Sequence, residues 1–310
     1  MTPHNWWRRR AGCVRTLMTG CFSHGMGRLD RVEPRLAAAL GDILARPGSL
    51  VRAVLAYLVA IEMGVPEQAA RAMGCGIEYL HTASLIFDDL PAMDDARVRR
   101  GGACIHVLHG ESTAMLAALA MINRGYGMIW QGIRGASSER RAMAGEWVDS
   151  RLGTAGVIGG QAYDLRGWRE GQSAAEVSEV AARKTGDLLR LTVVLPAIVG
   201  RGTEREIQVL DRLALLRGLA YQAADDLKDV FSGEGSFGKT GGRDEALGRP
   251  NLVLAEGIPS ALHRLRRLNE TADRVQAALP GPPDRWMLLE MLKVGIPSSG
   301  EDASMLSAAI

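Results

Sequence analysis

Lysine is nearly missing from this chain. Lysine and arginine together number 37 among 310 residues, and only Lys184, Lys228, Lys239 and Lys293 are lysine. A compact ammonium and a flat guanidinium fork bind anions differently, so each surviving lysine is a candidate for a dedicated role. Cysteine is also scarce. Cys13, Cys21, Cys75 and Cys104 show no C-x-x-C spacing, which argues against a disulfide framework or a zinc knuckle and for free thiols in a reducing compartment. No uncharged apolar run reaches the ~18 residues a membrane helix needs, so an integral span is not expected. The net charge of +2 gives no reason to expect nucleic acid. Acids are absent before Asp30, while Arg8, Arg9, Arg10, Arg15 and Arg28 are present. Arg15 and His24 break the apolar stretch that a secretory signal requires. Residues 1–30 therefore read as a basic, floppy extension; an organellar targeting role is the other reading, and the cytoplasm is the expected compartment.

Strand signals are missing too. β-branched alternation is rare and no Asn-Gly hairpin signal occurs. Apolar residues instead recur at spacings of three and four through 34–63, 66–90, 112–133, 139–162, 174–199, 204–231 and 259–293. Gly and Pro punctuate these segments, as in Arg46-Pro47-Gly48 and Gly64-Val65-Pro66. The pattern predicts one all-α domain over 31–310, built from about ten helices.

Two acidic clusters stand out. "SLIFDDLPAMDDARVRRGG" (84–102) puts Asp88 and Asp89 at the end of a long apolar helix, with Asp94 close behind. That is the negative end of the helix dipole, where acids are disfavoured unless a cation sits among them. Arg99, Arg100 or a divalent metal would serve, and oxygen-only ligands select Mg²⁺ or Mn²⁺ over zinc. "YQAADDLKD" (221–229) repeats the theme: Asp225 and Asp229 share one helix face, beside Asp226. One such pair is usually a solvated turn. Two, each ending an apolar helical run, suggest carboxylates that share Mg²⁺ around a polyphosphate. Arg52, Arg99, Arg100, Lys184, Lys239 and Arg243 or Arg249 would contribute countercharge.

These residues resemble the polyprenyl synthetase family of trans-isoprenyl diphosphate synthases. "DDLPAMD" followed by "RRG", "GQAYDL" (160–165), "KTG" at Lys184, "YQAADDLKD" and "GKTGGRDEALGRPN" match its motifs in family order across roughly 34–260. The likeness is strongest to short-chain geranylgeranyl and farnesyl diphosphate synthases. It implies an isoprenoid-synthase helical bundle around a central cavity, a homodimer, and about three Mg²⁺ per site, with Mn²⁺ as a substitute. The implied reaction is head-to-tail condensation of isopentenyl diphosphate with dimethylallyl, geranyl or farnesyl diphosphate. Asp88, Asp89, Asp94, Asp225, Asp226 and Asp229 would face the metals. Arg99, Lys184 and Lys239 would face the allylic diphosphate, and Arg52, His81 and Arg100 the isopentenyl diphosphate. Thr185 and Gln222 are further substrate-side candidates, as are Gln161 and Asp164.

The chain departs from the family at "PGSLVRA" (47–53), where Ser49 and Leu50 replace the usual basic residues of GGKRLRP. The lost charge-assisted contact is worth roughly 1.5–3 kcal/mol, so weaker affinity for isopentenyl diphosphate is expected. Ala83 and Ser84, five and four residues before Asp88, are small, and Tyr79 is the expected floor below them. That trio favours a C20 product, with farnesyl diphosphate next. The rival readings are a class I terpene cyclase, which normally carries a different second motif, and a non-catalytic modulatory subunit of a heteromeric synthase.

Overall fold

A computed structural model describes residues 3–167, 169, 171–231 and 248–296. Helices α1 (Pro3–His24), α2 (Pro34–Ala45), α3 (Val51–Glu62), α4 (Glu67–Asp88), α5 (Ile105–His109) and α6 (Glu111–Ile133) come first. They are followed by α7 (Ser138–Leu152), α8 (Val157–Leu165), α9 (Ala174–Ala181), α10 (Asp187–Val199), α11 (Glu204–Phe231) and α12 (Leu252–Ala277). A π-helical turn, Ala182–Gly186, joins α9 to α10, and a 3₁₀ run covers Pro283–Leu292. The one sheet among the described residues is a two-stranded hairpin, β1 (Val98–Arg99) and β2 (Gly102–Ala103), in which Arg99 pairs with Gly102. The all-α expectation holds. The chain divides into two compact units, Met1–Arg141 with Val199–Arg201, and Ala142–Ile198 with Gly202–Ile310.

In the first unit, α4 packs on α3 and α6. A Cβ on Gly76 would lie 2.7 Å from the carbonyl oxygen of Gly125, so the two backbones of α4 and α6 touch because neither residue carries a side chain. The segment expected as a floppy extension is instead α1. Val14, Met18 and Phe22, spaced by four, form one buried stripe on it. Phe22 meets Tyr79 edge-on at 5.0 Å between ring centres, and the Tyr79 hydroxyl donates to the Phe22 carbonyl at 2.7 Å. The arginines that dominate this stretch hid that stripe from a reading by composition.

In the second unit, α11 and α12 pack together over Ala220, Ala223, Ala224, Leu227, Leu265 and Val294. Local caps set the helix starts. Ser173 and Glu176 form a reciprocal capping box at α9, Thr203 and Glu206 do the same at α11, and the Asn251 side chain accepts from Val253 N at 2.8 Å at α12. Helix α12 is kinked at Gly257, whose φ of 77° no helical residue adopts, two positions before Pro259. No helix among the described residues is long and apolar enough to cross a membrane.

Candidate active site

The first acidic cluster closes α4. Asp89 caps the helix and is 4% exposed. Arg99, delivered by the hairpin, donates to Asp89 Oδ1 from Nε at 2.9 Å and from Nη2 at 2.6 Å. The carboxylate at the wrong end of the dipole therefore has its cation in place. Burial alone would lower the Arg99 pKa, but the hydrogen bond and charge of Asp89 outweigh it and raise it. The Cys104 thiol is pushed up to about 12 by burial, and then by the Asp89 charge and its hydrogen bond to that carboxylate. Asp88 is half-buried, and its carbonyl accepts from Asp94 N at 2.9 Å, which folds Asp94 back beside it.

Beside this pair lies a cationic group. Arg52 Nη1 is 3.1 Å from His81 Nε2. Burial, then the charges of Arg52, Arg100 and Arg99, hold the His81 pKa well below its usual value. A guanidinium only donates, so the neutral imidazole accepts at Nε2 and carries its proton on Nδ1. Arg100 sits at the hairpin turn with φ 51°, a left-handed conformation that costs a non-glycine residue about 1–2 kcal/mol. Its Nη1 donates to the Arg46 carbonyl at 3.0 Å, and its guanidinium lies against Gly48 where a Cβ would stand. Burial, Arg99 and Arg52 lower the Arg100 pKa, with Glu78 partly opposing them. Three arginines and a neutral histidine thus gather here, with Arg99 paired to Asp89.

Glu78 belongs to this group and was missed in the sequence. Helix α3 begins after Leu50, at φ 56°, without a side-chain cap of its own. Glu78, 2% exposed, supplies one through space by accepting from Ala53 N at 3.1 Å. Burial raises its pKa, against the pull of Arg52. Its signal was a lone acid inside the apolar run "GCGIEYLHTASL".

The three residues assigned to chain length separate. Ala83 is buried, and the Ser84 hydroxyl donates to the His81 carbonyl at 2.8 Å. At 3.6 residues per turn, Ser84 lies about 40° round the helix from Asp88, but Tyr79, nine residues earlier, lies about 180° away. Tyr79 is buried and packs on Phe22 of α1.

In the second unit, the π-turn carries Lys184 and Thr185, and such turns favour functional sites. Lys184 Nζ donates to Asp164 Oδ2 at 2.5 Å, and Arg249 Nε lies 4.0 Å from the same oxygen. A Cβ on Gly160 would collide with the Lys184 backbone, which explains the glycine in "GQAYDL". Asp225 is exposed and Asp229 half-buried on α11, whereas Asp226 is 1% exposed. Gln222 Nε2 donates to Asp226 Oδ1 at 2.8 Å and accepts from Thr185 Oγ1 at 2.9 Å through Oε1. Lys239 and Arg243 lie outside the described residues.

The donor set suits a hard cation. In the first unit Asp88 and Asp94 are half-buried, and in the second Asp225 is exposed and Asp229 half-buried; each offers only carboxylate oxygens. No three His, Cys, Asp or Glu side chains form a ready-made cage among the described residues. Mg²⁺ takes a few carboxylates and completes its shell with water and phosphate oxygens.

Comparison with known proteins places the chain. The polyprenyl synthetase model matches residues 33–278, and the chain belongs to that family. Geranylgeranyl pyrophosphate synthase 4 of Arabidopsis thaliana is 33% identical over 243 residues, covering 76% of this chain and 65% of the relative. The chloroplastic geranylgeranyl pyrophosphate synthase of Capsicum annuum is 33% identical over 226 residues, covering 73% and 61%. The chain thus spans a little under two thirds of the length of these relatives. The fold matches an FPP/GFPP synthase of Zymomonas mobilis at TM-score 0.79 and 22% identity, covering 93% of this chain and 98% of the other. It also matches a Helicobacter pylori geranyltransferase complexed with magnesium and isoprenyl diphosphate, at TM-score 0.78 and 21% identity, covering 94% and 96%.

Proposed function

We propose that the protein is a magnesium-dependent prenyltransferase that condenses isopentenyl diphosphate with an allylic diphosphate. The product is a short-chain prenyl diphosphate, geranylgeranyl diphosphate first and farnesyl diphosphate second. The observation that carries this reading is the cationic group of Arg52, Arg99 and Arg100 around a neutral His81, next to an aspartate-rich turn. Asp88 and Asp94, with Asp225 and Asp229, would hold Mg²⁺, which when bound neutralises diphosphate charge and so promotes its departure.

The side chains then divide the work. Arg52 and Arg100 donate to the diphosphate of the homoallylic substrate, and His81 offers its Nδ1 proton or orients Arg52. Lys184 and Lys239 face the allylic diphosphate. The allylic C–O bond breaks, the double bond of isopentenyl diphosphate forms the new C–C bond, and the released diphosphate accepts the proton lost. Fixed cations aimed at the leaving group are the main source of acceleration.

The homodimer is supported by exposed Met115, Leu116, Leu119 and Trp130 along α6, an apolar face that a second copy would cover. Free thiols at all four cysteines favour a reducing compartment, the cytoplasm. The modulatory-subunit reading is kept by Ser49 and Leu50 in the loop before α3, where the family carries cations. Radiolabelled isopentenyl diphosphate, supplied with Mg²⁺ and each allylic co-substrate in turn, separates the readings. Chromatography is expected to show a C20 product; no incorporation with any co-substrate would overturn the catalytic reading in favour of the subunit.

A further inference from the structure

We propose that the outward side of α1 docks on the surface of an anionic lipid bilayer. Helix α1 carries Arg8, Arg9, Arg10 and Arg15 and no acid, and the first acid of the chain is Asp30. From Arg9 onward its buried residues are Val14, Met18 and Phe22, one stripe that seats the helix on its own unit. The rest of the cylinder looks outward. Arg9, Arg10, Gly12, Cys13, Arg15 and Thr16 are exposed, and a Cβ on Gly12 or Gly20 would meet nothing within 4 Å.

Charge indicates what covers this side. Removing Arg28 and the four arginines of α1 from the 37 bases would leave 32 against 35 acids. The positive excess of the whole chain is therefore supplied by its first thirty residues. An anionic surface draws α1 in and turns the net-negative remainder away, so the asymmetry orients the molecule as well as attracting it. Trp6 and Trp7 directly precede Arg8 in the sequence. Tryptophan settles at the headgroup level of a bilayer and arginine pairs with anionic lipid, a combination that favours a lipid surface over a nucleic acid. Since no described helix is long and apolar enough to cross a membrane, the contact is peripheral. Docking does not rest on the prenyltransferase reading. If that reading holds, docking brings the source of an apolar product tail to the phase in which the tail dissolves.

Co-sedimentation of the full chain with vesicles, without substrate, tests the proposal. At about 0.1 M salt the protein is expected on vesicles of mixed phosphatidylcholine and phosphatidylglycerol, and in the supernatant of phosphatidylcholine alone. Salt at about 1 M, where screening acts within about 3 Å, should release it. The triple variant Arg8→Gln, Arg9→Gln, Arg10→Gln touches no residue of the buried stripe and is expected to melt with the parent. Its partition onto the mixed vesicles should fall about a hundredfold, at roughly fivefold per arginine. Equal binding to both vesicle types, binding to neither, or a triple variant that binds as the parent does would overturn the proposal. So would tighter binding to a random-sequence RNA than to the mixed vesicles. Should the triple variant melt early, the parent's choice between the two vesicle types and its release by salt decide.

Discussion

Asp89 and Asp226 occupy the same place in their two clusters, the second member of an Asp-Asp pair at 4% and 1% exposure. Their compensation differs. Asp89 is matched by a full positive charge on Arg99, with the Cys104 thiol beside it. Asp226 accepts from two neutral donors, a side-chain amide and a backbone N–H. The first device ties a helix end to a hairpin that also carries Arg100. The second ties two helices to a turn that carries Lys184. In both, the first aspartate is the more exposed of the pair, and the buried second one is held by hydrogen bonds to a neighbouring element.

The comparison breaks most visibly at the outward-facing carboxylates. Asp88→Ala or Asp225→Ala should each lower kcat/KM by about a hundredfold or more, measured by isopentenyl diphosphate incorporation, because on the proposed reading each would hold the Mg²⁺ that neutralises the leaving group. A loss of less than tenfold would mean that the exposed members are not the ligands. Arg99→Met comes next. It leaves a buried carboxylate without its cation, and since Arg99 is itself partly exposed the cost is about 2–3 kcal/mol. Urea unfolding should show that loss to exceed the loss in Gln222→Leu, where only a neutral hydrogen bond is broken. Equal losses would erase the contrast between the two devices.

His81 sharpens the same contrast through pH. Its folded-state pKa is depressed, so its contribution is present above the unfolded value near 6.5 and declines as pH falls below that. The parent should lose up to about 1.4 kcal/mol per pH unit from this group on acidification below 6.5, and His81→Asn should flatten that limb of the stability profile. An unchanged slope would remove His81 from the buried group. The smallest effect belongs to Tyr79→Phe, which deletes the hydroxyl bonded to the Phe22 carbonyl at a cost of about 1 kcal/mol. Phenylalanine keeps the ring, so product length should not change in that variant; a shifted product by chromatography would tie that hydroxyl to product length.

The acids were legible in the sequence because their meaning lies in spacing along a helix, which 3.6-residue periodicity transmits directly. Asp225 and Asp229, four apart on α11, needed no knowledge of distant neighbours, whereas Asp94 lies beyond the end of α4 and returns to Asp88 through a backbone turn. What stayed hidden depends on partners far along the chain. Glu78 finds its role only because Ala53 N lies uncapped beside it, and Asp226 because Leu252 N does. The π-turn follows from the crowding of Gly160 against Lys184 and leaves no residue pattern of its own. The hairpin at Arg100 and Gly101 lacked the Asn-Gly signal, since its left-handed turn is held by the Arg46 carbonyl instead.

Helix α1 has a practical consequence at the bench. The family match begins at residue 33, so a shortened gene trimmed to that homology would look prudent. Such a clone would strip Val14, Met18 and Phe22 from their seats and lay bare the tyrosine they shelter. The trimmed polypeptide would expose an oily furrow to solvent and clump, and its poor behaviour would wrongly be blamed on the catalytic half of the gene.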